Sequence, residues 1–158
     1  MRTENAAAAP TGANGGGATG GGSSVSSPSR QELLRGVPIL VVEDDPAGAK
    51  LVTLLLKQQG AYVRMTPNAE EALQVLAEFR PRLIVLDLVL PRMGGLLLAR
   101  QIKADPRLSE TLIVATTSIH GPQMERVVRE HGCVAYLRKP IDTETFAATL
   151  AACLADKS

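Results

Sequence analysis

A few polar residues sit where their neighbours make them conspicuous. Glu43, Asp44 and Asp45 close the apolar run "VPILVV", and Asp87 lies inside "RLIVLDLVL". Thr116, Thr117 and Ser118 end "TLIVATTS", and Lys139 stands before Pro140 at the end of "CVAYLRKP". Taken singly, most have an ordinary explanation. An acidic cluster after a strand is often a solvated helix N-terminus favoured by the macrodipole. Thr117 would be a strand Thr and Lys139 a strand-end Lys. Asp87 is harder to dismiss, because an isolated carboxylate among Leu, Ile and Val is costly to bury. If folding gathers Glu43, Asp44 and Asp87 at one edge, the three carboxylates repel and raise one another's pKa. A divalent cation relieves this, and a hard oxygen cage favours Mg²⁺, which keeps waters and takes a few carboxylates plus phosphate oxygens. Lys139 and a hydroxyl from the Thr-Thr-Ser run could then meet the oxygens of a phosphoryl group. The chemistry this combination suits is Mg²⁺-assisted phosphorylation of an aspartate, with Asp87 as the nucleophile.

Such residues converge only if the chain folds into strands whose carboxyl ends share an edge. From Val37 onward, short apolar runs alternate with helical patterns five times. "VPILVVEDD" reads as a strand, then "PAGAKLVTLLLKQQG" as a helix stopped by Gly60. "AYVRMT" precedes a helix opened by Asn68, whose spacing to Glu71 resembles a capping box, with Ala69, Ala72, Leu76 and Phe79 on one face. "RLIVLDLVL" is followed by "GGLLLARQIKAD". "TLIVATTS" precedes a helix with Met124, Val127, Val128 and His131 on one side. "CVAYLRKP" precedes one carrying Phe146, Leu150, Cys153 and Leu154. Alternating strands and helices predict a parallel sheet covered on both faces. The continuous apolar character of strands 1, 3 and 4 says they are buried on both sides. No GxGxxG follows strand 1, so a dinucleotide-binding version loses support. The expectation is an α/β doubly wound, flavodoxin-like (βα)5 sheet in strand order 2-1-3-4-5, which makes strands 1 and 3 neighbours and places a site beyond their carboxyl ends.

The bulk numbers agree with one domain. The chain has 158 residues, 45% hydrophobic and 21% charged, with a formal net charge of +1. No basic stripe suggests nucleic acid as a partner. Aromatics are 3% and Trp is absent, so the core is built from Leu, Ile, Val and Ala. Cys133 and Cys153 have neither CxxC nor metal spacing and read as buried thiols in a reducing, cytoplasmic setting. No apolar stretch approaches the length of a membrane span, and the N-terminus has no signal-like apolar core. Residues 1–35 are rich in Ala, Gly and Ser and read as a disordered tail, leaving 36–158 as the folded domain.

The segments "ILVVEDDP", "PRLIVLDLVLPRMGG", "LIVATTS" and "GCVAYLRKPID" resemble the receiver domain of two-component response regulators, over roughly Val37 to Asp156. The resemblance implies that Asp87 is the phosphoacceptor and that Glu43 and Asp44 hold Mg²⁺ together with Asp87 and the main-chain carbonyl of Val89. It implies that Lys139 contacts the phosphoryl group, that Pro140 follows a cis peptide, and that Tyr136 swings inward on activation. Of the adjacent Thr116 and Thr117, strand alternation lets only one face the site. Thr117 fits the family spacing, 30 residues after Asp87 and 22 before Lys139, with Ser118 in the small-residue position that follows. Glu43 in place of the commoner Asp, and Gly94 before Gly95, are departures the family tolerates. Val89 and Ile119, two residues beyond the acceptor and the switch Thr, are both apolar and imply slow self-dephosphorylation. The implied partners are a sensor histidine kinase or histidine phosphotransfer protein and a downstream protein target, with no nucleic acid and no membrane. Since no further domain follows the last helix, the expected output is a switched surface of helix 4, strand 5 and helix 5 rather than an enzymatic activity. A phosphatase of similar architecture would want a second Asp where Val89 stands, and a flavin module would want a phosphate-cradling loop in place of the acidic "EDDPAG".

Overall fold

A computed structural model describes residues 32–119 and 121–157. The expected tail lies outside these residues as far as position 31. Its last positions do not: Leu34 is fully buried, and its N–H donates to the carbonyl of Gln59 at 2.9 Å. The folded part therefore takes in Leu34, ahead of the boundary expected at 36. The reason is a long-range contact that local composition does not encode.

Five strands and five helices alternate: β1 Pro38–Val42, α1 Pro46–Gln58, β2 Tyr62–Thr66, α2 Ala69–Leu76, β3 Leu83–Asp87, α3 Gly95–Ala104, β4 Leu112–Thr117, α4 Met124–Glu130, β5 Ala135–Arg138 and α5 Phe146–Lys157. A short 3₁₀ turn, Pro106–Leu108, lies between α3 and β4. The strands form one parallel sheet in the order β2-β1-β3-β4-β5. This is the flavodoxin-like order expected from the alternation.

Local chemistry explains where the helices begin and end. Asp45 caps α1 by accepting from the N–H of Gly48 at 2.9 Å, and Pro46 occupies the first turn, where its missing N–H is harmless. Gly60, at φ +88°, ends that helix in the left-handed region. Asn68 caps α2 by accepting from the N–H of Glu71 at 2.8 Å while its own amide donates to the Glu71 carboxylate at 3.1 Å. The anticipated pairing is thus present, closed side chain to side chain.

Two apolar layers flank the sheet. On one face Leu40, Val42, Ile84, Leu86, Ile113 and Ala115 meet α2, α3 and α4 through residues such as Leu76, Leu98, Ile102 and Val128. On the other, Ile39, Val41, Leu83, Val85, Leu112 and Val114 meet α1 and α5 through Val52, Leu56, Phe146, Leu150 and Leu154. Every residue of β3 and β4 is buried. Each buried Leu, Ile or Val adds roughly 1.5–3 kcal/mol of transfer free energy. That driving force is what carries Asp87, the last residue of β3, into a dry setting. Among the described residues no helix is long and apolar enough to cross a membrane.

Candidate functional site

At the carboxyl edge of the sheet, three turns deliver the polar residues to one place. Glu43 directly follows β1, and its N–H continues the pairing by donating to the carbonyl of Thr66 at 3.0 Å. Asp44 comes next and is exposed, while Glu43 and Asp87 are buried. Asp87 ends β3, and β1 and β3 are hydrogen-bonded neighbours, as strand order 2-1-3-4-5 requires. Carboxylate oxygens of Glu43, Asp44 and Asp87 all lie within 4.8 Å of one another. Three hard oxygen donors so placed are a fitting donor set for a divalent cation.

Lys139 joins this cluster from the end of β5. Its backbone N–H donates to the carbonyl of Thr117 at 2.9 Å, which fixes the start of the side chain. The Nζ donates to Glu43 Oε1 at 2.7 Å and to Asp87 Oδ2 at 3.2 Å. The other oxygens are held by the backbone: Asp87 Oδ1 accepts from the N–H of Val89 at 3.0 Å, and Glu43 Oε2 from that of Asp45 at 3.2 Å. Burial, aided by the neighbouring Asp87 charge, pushes the Glu43 carboxyl above its usual value against the opposing pull of Lys139. Partial burial works against the Lys139 ammonium, but Glu43 and Asp87 outweigh it and hold its pKa above the usual 10.5. The Lys139–Pro140 peptide is cis.

The remaining expected residues are placed as follows. Thr116 is the register partner of Asp87 and by alternation lies on the α1–α5 face. Thr117 lies on the opposite face with Ala115, and Ala115 is the register partner of Tyr136. Tyr136 is half-buried and packs against the α2–α3–α4 layer, so Thr117 and Tyr136 share one face of the sheet. The Thr117 hydroxyl accepts from the N–H of Ile119 at 3.0 Å. Val89 and Ile119 are 55% and 57% exposed, which leaves apolar side chains projecting from the loops beside the site.

Gly95 matters here in a way its sequence position hardly signals. A Cβ built on it would lie 2.4 Å from the carbonyl oxygen of Asp87 and 2.6 Å from Leu88 Cα, while one on Gly94 would meet nothing nearer than 4.0 Å. The first turn of α3 therefore rests directly on the backbone of the buried aspartate, and the Gly-Gly pair was the only hint. Arg92, at φ +61° in the same loop, pairs with Glu70 of α2 at 3.2 Å.

Comparison with known proteins agrees with this geometry. Residues 39–151 match the response regulator receiver domain family. The polar-differentiation response regulator DivK of Brucella anthropi is 34% identical over 118 residues, covering 75% of this chain and 96% of that protein. The signal receiver domain of a signal transduction histidine kinase from Syntrophus aciditrophicus superposes with a TM-score of 0.69 at 28% identity, covering 76% of this chain and 91% of that one. The chemotaxis response regulator CheY4 of Vibrio cholerae shares the fold with a TM-score of 0.69 at 24% identity, over 73% of this chain and 96% of its own. With the fold, the acidic cluster and these matches pointing the same way, the chain belongs to the response regulator receiver domain family.

Proposed function

We propose that this chain is a phosphoryl-accepting switch, taking a phosphoryl group onto Asp87 from a histidine kinase or histidine phosphotransfer protein in the cytoplasm. One observation carries the reading: a buried acceptor carboxylate shares a nest with two further carboxylates and one ammonium. Glu43, Asp44 and Asp87, with the Val89 carbonyl, would hold Mg²⁺, which when bound supplies positive charge to the phosphoryl oxygens. In the transfer, a carboxylate oxygen of Asp87 forms a bond to phosphorus as the phosphorus–nitrogen bond of the donor breaks, and the departing imidazole takes up a proton. Lys139, already 3.2 Å from Asp87, meets the growing charge on the transferred group. Thr117 accepts from Ile119, which leaves its own proton free to donate to a phosphoryl oxygen.

The response is a population shift. Drawing Thr117 toward the phosphoryl group vacates space on the face that Tyr136 shares with it, and inward packing of Tyr136 reshapes the surface of α4, β5 and α5. That surface would bind the downstream protein. Receiver domains are signalling switches rather than enzymes in the usual sense, and self-dephosphorylation here is slow. Neither Val89 nor Ile119 has a polar group to orient the hydrolytic water.

Incubation with acetyl phosphate and Mg²⁺, followed by intact-mass analysis, tests the central point. The wild type should gain one phosphoryl group only when the metal is present, and Asp87→Ala should gain none. Labelling of the variant would remove Asp87 from the role assigned to it, and metal-independent labelling would remove the cation from its own.

A further inference from the structure

The amino edge of the sheet, at the far end from the acidic cluster, carries a basic cavity built from two connections. The turn from α2 to β3 brings Arg80 and Arg82, and the 3₁₀ turn before β4 brings Arg107. All three side chains line one open cavity of about 440 Å³, whose apolar part is formed by the buried Leu112 and Leu154. That volume is within the range of small-ligand sites, roughly 300–1,000 Å³.

Each guanidinium is held differently. Arg80 donates to the carbonyl of Leu76 at 2.7 Å, which fixes it against the end of α2. Arg107 grips the Asp105 carboxylate, with Nη2 at 2.7 Å from Oδ2. Hydrogen bonds from Arg107, with the Arg80 charge nearby, hold the Asp105 carboxyl down at about 2. Arg82 is anchored by its backbone: its N–H donates to the carbonyl of Pro38 at 2.8 Å, and its carbonyl accepts from the N–H of Leu112 at 3.0 Å. Its exposed guanidinium makes no hydrogen bond or ion pair among the described residues. The protein thus positions Arg80 and Arg107, while Arg82 keeps its whole fork of donors. The Thr111 hydroxyl donates to the carbonyl of Pro81 at 2.8 Å and ties the two connections together. One charge opposes an anion here, that of Glu110 in the cavity wall.

Planar guanidinium forks match phosphate oxygens two at a time, which the point charge of a lysine does not. The cavity is too large for a single phosphate to fill, and three forks suit linked phosphates. We propose that the amino edge binds a di- or triphosphate anion, free or carried by a nucleoside, with Arg82 as its main contact and Arg80 and Arg107 flanking it. This site shares no residue with the acidic cluster, and β3, Leu83–Asp87, separates the two.

Inorganic triphosphate and adenosine triphosphate, each without Mg²⁺, are titrated calorimetrically into wild type, Arg82→Ala, Arg82→Lys, Glu110→Gln and Arg126→Ala, with folding checked by circular dichroism. Arg126 stands on α4 outside the cavity and controls for lost charge alone. Arg82→Ala should weaken binding about tenfold or more, and Arg82→Lys should recover only part of the loss. Glu110→Gln should tighten binding about twofold, and Arg126→Ala should match wild type. Amide NMR shifts on titrating the wild type should centre on Arg82, Thr111 and Leu112. Tighter binding of the nucleotide assigns nucleotides as the source, and inorganic triphosphate binding at least as tightly assigns the free anion. No binding at millimolar concentration overturns the site, as does equal weakening in Arg82→Ala and Arg126→Ala, or a shift map centred elsewhere. Should Arg82→Ala fail to fold, Glu110→Gln and the shift map decide.

Discussion

Gly94 and Gly95 are adjacent and chemically identical, yet the structure assigns them opposite sensitivities to the same change. Gly95 opens α3 and is buried. Its alanine Cβ would stand 2.4 Å from the Asp87 carbonyl oxygen, so the helix start and the β3 end must part by about 0.6 Å merely to reach 3.0 Å. Both obstructing groups are backbone, and both belong to a fully buried strand and its exit, so no flexible side chain can absorb the shift. Overpacking of this kind costs about 1–3 kcal/mol or more, and alanine's better helix propensity returns up to about 1 kcal/mol. The net expectation is a loss near 2 kcal/mol for Gly95→Ala. At Gly94, the cap of α3, φ is −69° and the nearest atom is 4.0 Å away. There the entropy lost from the unfolded chain and the small preference for Gly over Ala at a cap nearly cancel, for a change within about 0.5 kcal/mol. Urea unfolding of the two variants beside wild type measures the contrast, with an unchanged slope showing that only stability moved. Labelling by acetyl phosphate should also slow in Gly95→Ala alone, because the displaced backbone is that of the acceptor. Equal stabilities for the two variants would refute the claim that α3 is seated on Asp87.

Three further expectations follow from single residues. Thr66 is 4% exposed and its hydroxyl has no hydrogen-bond partner among the described residues, so the isosteric Thr66→Val should raise stability by about 1–2 kcal/mol, and a destabilised variant in thermal or urea unfolding would show that the hydroxyl is satisfied after all. Val89→Asn places an amide beside the acceptor and should accelerate decay of the phosphorylated protein severalfold; unchanged decay would count against apolar rims as the cause of slow hydrolysis. Burial pushes the Cys133 thiol from 9.0 up to about 11, so the folded chain holds that proton after the unfolded chain has released it. Stability should therefore fall as pH rises from about 9 toward 11, and Cys133→Ala should lose that part of the slope in unfolding curves measured across the range. At pH 8 the native thiol, held protonated by its burial, should resist iodoacetamide while the urea-unfolded chain reacts.

Periodicity and punctuation were enough to read the architecture. Five apolar runs separated by amphipathic ones dictate a parallel sheet with two covered faces, because that is how strands apolar on both sides escape water. Asn68 and Gly60 announced their helix ends because capping and left-handed turns are satisfied within a few residues. Asp87 drew attention for the converse reason, being a charge where local burial allows none without compensation. What compensates it is a matter of distance between residues far apart in the chain. The choice of Lys139 to sit on Glu43 more closely than on Asp87 spans 96 positions. The hydrogen bond from Leu34 to Gln59, the seat of Gly95 on Asp87 and the sharing of one sheet face by Thr117 and Tyr136 likewise arise from strand register and helix docking. A shift of register by one residue would exchange every one of those faces while leaving the local patterns untouched. The sequence alone therefore determined which elements form and which carboxylate had to be special; only the tertiary structure decided its neighbours, because burial selects the register and the register sets the contacts.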